Sequence, residues 1–304
     1  MVGSTISRRG LAGLAATFVA APAFALDPNT PQASSHEPLK YLDVARRLTV
    51  QVMLNGQGPF HMMIDTGANS SMISIETADR LGLARGEPVN VHGIAGVQAV
   101  DTVVIDTLRM GDRVRRQMRV SIVAERHLGA AGLLGLDWLG ANSLMLNYGQ
   151  RRMAVGERLP MADDQTVVVK TRTRSGLTLI DASMPGQTLI ALLDSGSMAT
   201  IGNMALFRAA QKRKAIIGET FDIQLRGAIG QTLPGRLVVL NRLTLGKMTL
   251  VNVPVVMAPV HTFDYWGLSR EPAILIGSDI LQKFETVALD FKRREVRFRI
   301  AGRG

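Results

Sequence analysis

Between Leu48 and Leu54 the apolar residues Leu48, Val50, Val52 and Leu54 alternate with Thr49, Gln51 and Met53. A period of two sends one row of side chains to each face of an extended chain, so this stretch predicts a half-buried β-strand. Arg119–Val123 and Glu295–Ile300 alternate in a similar way, and the apolar run Leu237–Leu240 also reads as a strand. Short runs of this kind, punctuated by glycine and asparagine turns, dominate both halves of the chain. They predict an all-β protein of antiparallel sheets folded into barrel-like lobes. Helical spacing is rare. Ser74–Leu83 sets Ile75, Ala78 and Leu81 on one face behind Ser74 as N-cap, and Met204–Arg213 holds the matching place in the second half.

One phrase occurs twice, as Ile64-Asp65-Thr66-Gly67-Ala68 and as Leu193-Asp194-Ser195-Gly196-Ser197. Each copy ends an apolar run with a carboxylate, then a hydroxyl, then a glycine. The likeness extends outward. Asn55-Gly56-Gln57-Gly58-Pro59 stands ahead of the first copy and Pro185-Gly186-Gln187 ahead of the second. Behind them come Gly93-Ile94-Ala95-Gly96 and Gly227-Ala228-Ile229-Gly230, then Leu108-Arg109-Met110-Gly111 and Leu243-Thr244-Leu245-Gly246. Both halves then reach an apolar-apolar-glycine element with an aspartate, Leu133–Asp137 and Leu275–Asp279, and both close on a basic strand, Leu146–Arg152 and Leu289–Arg294. A unit this long exceeds the roughly 20 to 50 residues of a solenoid repeat, which points to a duplicated domain. The polar break at Pro160–Gln165 reads as the linker, giving lobes over 39–159 and 166–304 with residues 160–165 between them.

Both loops carry the Asp-Thr/Ser-Gly motif, and the chain resembles a bacterial periplasmic retropepsin-like aspartic protease of the pepsin and retropepsin superfamily, with its two halves fused. The resemblance implies one composite site with Asp65 and Asp194 as the catalytic pair, supported by Thr66, Gly67, Ser195, Gly196 and Ser197. In such a site one carboxylate deprotonates a water while a protonated carboxyl polarises the scissile carbonyl, without cofactor, metal or covalent intermediate. Two adjacent carboxylates share one proton and titrate as a pair. The Thr66 and Ser195 hydroxyls are expected to reach across to the opposite loop. Ser197, with Ala68 as its silent counterpart, is expected to donate to its own aspartate, which marks Asp194 as the ionised member and Asp65 as the protonated one. His92, Gly93, Ile94, Gly96, Gly227, Ile229 and Gly230 read as two flaps over a bound peptide, or as ordinary hairpin turns with His92 a solvated loop residue. Asp137 and Asp279 read as helix N-caps. The expected partner is a polypeptide in extended form, bound by a monomer acting as an intramolecular pseudodimer. The alternatives are a catalytically silent peptide-binding module and sites formed between chains.

Ser7-Arg8-Arg9 precedes an uncharged stretch, Gly10 to Ala25, that ends Ala23-Phe24-Ala25. A charged start, a short apolar run and a small-residue cleavage pattern predict a signal peptide over residues 1–25, and the paired arginines fit twin-arginine export to the periplasm. The stretch is shorter than the roughly 20 residues that span a bilayer, so no membrane span is expected after cleavage. Residues 26–38 have the proline, serine and polar content of a flexible leader. The chain carries a formal charge of +10. Its arginine groups, Arg113/Arg115/Arg116/Arg119 and Arg293/Arg294/Arg297/Arg299, alternate within strands and read as solvated faces, with no nucleic-acid partner expected. With no cysteine, thiolate nucleophiles, disulfides and Cys-ligated zinc are excluded. Five scattered histidines without HExxH spacing, no G-x-S-x-G and no P-loop leave metal, serine-hydrolase and nucleotide chemistry without support.

Overall fold

The structure is a computed structural model and describes residues 39–44, 47–139, 143–156, 159, 161–174 and 176–300. The expected signal peptide and leader lie outside the described residues.

The first lobe runs β1 (Leu39–Val44), β2 (Arg47–Leu54), β3 (Gln57–Ile64), β4 (Met72–Ser74), α1 (Ile75–Arg80), β5 (Gly86–Gly93), β6 (Gly96–Met110), β7 (Arg113–Val123), α2 (Glu125–Leu128), β8 (Gly132–Leu134), α3 (Leu136–Leu139), β9 (Ser143–Asn147) and β10 (Arg152–Val155). The second runs β11 (Thr166–Arg174), β12 (Leu177–Met184), β13 (Gln187–Leu193), β14 (Ile201–Gly202), α4 (Met204–Lys212), β15 (Ile216–Arg226), β16 (Thr232–Leu245), β17 (Met248–Met257), α5 (His261–Tyr265), β18 (Ala273–Ile276), α6 (Ser278–Leu281), β19 (Phe284–Asp290) and β20 (Glu295–Ile300). The two lobes repeat one another element by element from β3 to β8 and from β13 to β18.

Each lobe closes into a six-stranded barrel. In the first the order is β2-β3-β8-β4-β7-β6 and back to β2. In the second it is β12-β13-β18-β14-β17-β16 and back to β12. Closure leaves the inward residues no solvent-facing side. Leu54, Ile64, Ile105 and Leu108 in one barrel and Leu240, Leu243, Leu245 and Ile276 in the other are essentially inaccessible, each worth roughly 1.5–3 kcal/mol of burial. Not every ladder is antiparallel as the alternation implied. β3/β8, β4/β7, β13/β18 and β14/β17 are parallel, because the chain leaves the barrel after each Asp motif and re-enters beside strands that run the same way.

A third sheet joins the lobes. Its antiparallel order is β1-β10-β9-β19-β20-β11, three strands from each lobe, with Leu146 opposite Val287 at the seam. The two expected basic closing strands are hairpin corners of this sheet. β9 ends at Asn147 and β19 at Asp290, and the arginines that follow fill turns in which Arg151 and Arg294 both adopt φ near 52°. Nor is the second arginine group a free solvated face. Arg297 pairs with Glu295 at 2.7 Å, Arg293 with Asp290 at 3.1 Å, and Arg299 with both Glu285 and Asp163. In the first group Arg115, Arg116 and Arg119 are exposed, whereas Arg113 lies over the Trp138 ring at 5.4 Å.

The two expected helices form. In α1 the Ser74 hydroxyl accepts from the Thr77 N–H at 2.9 Å, and Asn203 caps α4 through Leu206 N–H at 2.8 Å. The buried face of α1 is Thr77 and Ala78, not the expected Ile75, which is exposed. A helix this short presents less than two turns, and the cap fixes which side faces the barrel.

Candidate active site

Each Asp motif begins where a barrel strand stops. β3 pairs in parallel with β8 up to Ile64 opposite Leu134, and β13 with β18 up to Leu193 opposite Ile276. The ladder then makes one more bond on each side: Asp65 N–H donates to Leu134 C=O and Asp194 N–H to Ile276 C=O, both at 3.0 Å. The carboxylates are therefore carried on the last fixed residue of two rigid barrels, and the loops turn toward one another.

The loops interlock through their hydroxyls. Thr66 Oγ1 donates to Leu193 C=O at 2.9 Å and accepts from Ser195 N–H at 3.0 Å. Ser195 Oγ donates to Ile64 C=O at 2.8 Å and accepts from Thr66 N–H at 3.2 Å. Both side chains are buried, at 2% and 1% exposure, so water does not compete for these four bonds. Neither glycine admits a side chain. A Cβ on Gly67 would strike the Asp194 carboxyl group, and one on Gly196 would strike that of Asp65. Each glycine thus lets one loop's backbone lie flat against the other loop's carboxylate. Gly67 N–H donates to Asp65 Oδ1 and Gly196 N–H to Asp194 Oδ1, both at 2.9 Å.

The electrostatics follow from this closeness. Burial, and then the negative charge of Asp65, hold the Asp194 carboxyl well above the usual carboxylate range. The N–H groups of Ser197 and Gly196 pull the other way without winning, and the two carboxyls share a hydrogen bond. Two like charges this close favour one proton shared between them. The hydroxyl bond expected from Ser197 to its own aspartate is not made. The Ser197 backbone N–H bonds Asp194 Oδ1 at 2.9 Å, but its hydroxyl donates to Ala199 C=O at 2.7 Å.

Asp137 and Asp279 are not helix N-caps. Gly277 caps α6 without a side-chain bond, and both aspartates sit inside the first helical turn. Their carboxylates instead hold the chain leaving each catalytic loop. Asp137 accepts from Ser71 Oγ at 2.7 Å and Ser71 N–H at 3.0 Å, and Asp279 accepts from Thr200 Oγ1 at 2.8 Å and Thr200 N–H at 3.1 Å. Ser71 and Thr200 pass the restraint on, accepting from Gly135 N–H and Gly277 N–H. Sequence reasoning missed these two residues. The repeat contained the signal, because each stands six positions after its aspartate.

The glycine segments are the tips of two long hairpins, β5/β6 and β15/β16, and each crosses to the other lobe. Ile94 packs against a second-lobe cluster with Leu225, Val256 and Val260, and Ile229 is buried in a first-lobe cluster with Met63, Met72 and Leu133. Ala199 and Ala68, from the Asp194 and Asp65 loops, belong to the same two clusters. The tips are also tied to each other: Gln231 Oε1 accepts from Ala95 N–H at 3.1 Å and Gln231 Nε2 donates to Gly96 C=O at 3.4 Å. His92 is neither solvated nor free, since its Nδ1 lies 3.1 Å from His261 Nε2 on α5. Both hairpin tips therefore contact the lobe opposite their own. Gln231, His261 and Tyr265 went unnoticed in the sequence because none belongs to the repeated phrases.

None of the curated proteins matches the chain. Two stretches, residues 50–138 and 180–280, match the sequence model of a single family described as Aspartyl protease. The first contains Asp65 and the β5/β6 hairpin, the second Asp194 and the β15/β16 hairpin. The chain belongs to the retropepsin-like aspartyl protease family and carries two copies of that family's domain in one polypeptide.

Proposed function

We propose that the protein is an aspartic endopeptidase whose single site is built from Asp65 of one lobe and Asp194 of the other. The observation that carries this reading is the reciprocal lock of Thr66 and Ser195, with each loop's glycine lying against the opposite carboxylate. Such an arrangement serves two carboxylates that must stay together despite repelling each other. The six-stranded sheet shared by both lobes supports a site within one chain rather than between chains.

In the proposed reaction the ionised Asp65 takes a proton from a water held between the carboxyls, and the oxygen attacks the scissile carbonyl. Asp194 gives its proton to the carbonyl oxygen as charge develops there. The resulting gem-diol collapses when one hydroxyl returns its proton to Asp194 and the proton on Asp65 passes to the amide nitrogen. The C–N bond breaks, leaving an acid, an amine and the original protonation of the pair. The flaps, tied across the cleft, fit a substrate in extended form lying beneath them and exclude bulk water while it reacts. Export to the periplasm by the twin-arginine route belongs to the same proposal and rests on the N-terminal sequence.

Incubating the purified chain with an unstructured polypeptide and identifying products by mass spectrometry tests the reading. Internal cleavage by wild type that is absent from Asp65→Asn supports it. Saturable binding of the same polypeptide without cleavage at any acid or neutral pH would make the protein a silent peptide-binding module.

A further inference from the structure

Each flap tip rests on a short helix of the opposite lobe, and each of those helices carries a histidine. A Cβ on Gly230 of the second flap would meet the ring of His127 in α2, while His261 in α5 donates its backbone N–H to Ile94 C=O of the first flap at 2.8 Å. His127 and His261 are 134 residues apart, as are Gly96 and Gly230. The symmetry breaks at the neighbouring flap position. The first flap has His92, whereas the position 134 residues on is Arg226. His92 makes a bond the second flap has no imidazole to copy. Its Nδ1 stands 3.1 Å from His261 Nε2 with the two ring planes within 6°, and Tyr265 stacks on it with centroids 3.8 Å apart.

We propose that His92, His261 and Tyr265 form a latch that holds the first flap shut and that a second proton on the histidine pair releases it. A hydrogen bond between two imidazoles needs one ring to donate and the other to offer a lone pair. The neutral pair meets that condition, and so does a pair with one added proton. A doubly protonated pair does not: both nitrogens become donors, and two like charges face each other across the former bond. The carboxylate on the same helix, Asp264, is exposed, so solvent screens the offset it could give. Val97 is opposite His92 on β6, and flap two reaches flap one through the neutral Gln231. The cluster against Ile94 is apolar, and α5 itself adds Asp264 and Tyr265. His92 and His261 are positioning residues on this account, acting on the flap rather than on the scissile bond. The consequence for substrate entry rests on the protease reading; the latch itself does not.

Hydrogen exchange of the flap-one tip amides, residues 93 to 96, in the full chain tests the latch without requiring catalysis. After correction for the chemical exchange rate, wild-type protection is expected to fall about fivefold, the equilibrium shift carried by one ordinary hydrogen bond, between about pH 8 and about pH 4, across the range where imidazoles gain their proton. His261→Phe keeps a flat ring and loses the bond, so its tip is expected to be less protected at high pH and indifferent to acid. His92→Asn provides a second variant with the same expectation, and the β13 amides serve as the unmoved internal control. Wild-type tip protection that does not change with pH would overturn the proposal, as would an unaltered acid-induced loss in His261→Phe. Absence of peptide cleavage with the exchange pattern as expected would sink the protease reading and leave the latch standing.

Discussion

Ser195 and Thr66 satisfy each other: the Ser195 N–H donates to Thr66 Oγ1 at 3.0 Å, and the Thr66 N–H donates to Ser195 Oγ at 3.2 Å. Each hydroxyl then donates to the carbonyl just ahead of the other motif's aspartate. Deleting one hydroxyl strands a buried N–H and a buried C=O together. Thr66→Val and Ser195→Ala are each expected to cost about 1–3 kcal/mol for each buried group left unpaired. Because the two share their bonds, the double variant should lose less than the sum. Denaturant unfolding of the three variants checks this; strict additivity would show that the loops are held independently.

The glycines test the close approach. Gly196→Ala drives a methyl into the Asp65 carboxyl and Gly67→Ala into that of Asp194. Relieving the overlap must separate the loops, so kcat/KM is expected to fall about 100-fold or more, with a stability loss of about 1–3 kcal/mol from overpacking. Steady-state kinetics beside thermal unfolding distinguish the two effects.

Ser197 is expected to be kinetically quiet. Its hydroxyl bonds Ala199 C=O, whereas the bond to Asp194 comes from its backbone N–H. Ser197→Ala should leave the acidic limb of the kcat/KM profile in place and lower stability by about 1 kcal/mol. An acidic limb displaced toward neutrality would mean that the hydroxyl serves the carboxyl pair after all.

Asp194 makes the fold pH-sensitive in a definite direction. Its folded carboxyl is raised well above the ordinary value of 3.8, chiefly by burial and then by Asp65. The folded chain therefore binds that proton more tightly than the unfolded one, and the resulting stability is full below the ordinary value and lost as pH rises through the raised one. Asp194→Asn keeps the acceptor oxygen and removes the charge. Its Tm should exceed wild type at neutral pH, and the difference should shrink on acidification. A Tm difference constant across that range would show that folding does not raise the Asp194 carboxyl.

Much of this was legible in the chain because the duplication wrote it twice. Asp65 and Asp194, the hydroxyls beside them and the hairpin-tip glycines stood out as paired phrases, and alternation at Leu48–Leu54 and Glu295–Ile300 marked real strands. What stayed hidden depended on contacts across the lobes. Ser197 was assigned to the wrong acceptor because a hydroxyl two residues from a carbonyl and three from a carboxylate can reach either, and spacing does not choose. Asp137 and Asp279 looked like caps because aspartate before a helical turn usually is one; the barrel instead brings Ser71 and Thr200 beside them. His92 looked like a loop histidine because its partner stands 169 residues away, on a helix of the other lobe.

The central claim is that one site needs both halves. Purified wild type, Asp65→Asn, Asp194→Asn and the double variant, confirmed as folded, are compared for cleavage of one peptide under the same conditions. Both single variants should lose about 1,000-fold or more in kcat/KM, and the double variant should be no worse than either, because half a pair is already inert. Near-wild-type cleavage by either single variant, or losses that multiply in the double, would contradict a shared site.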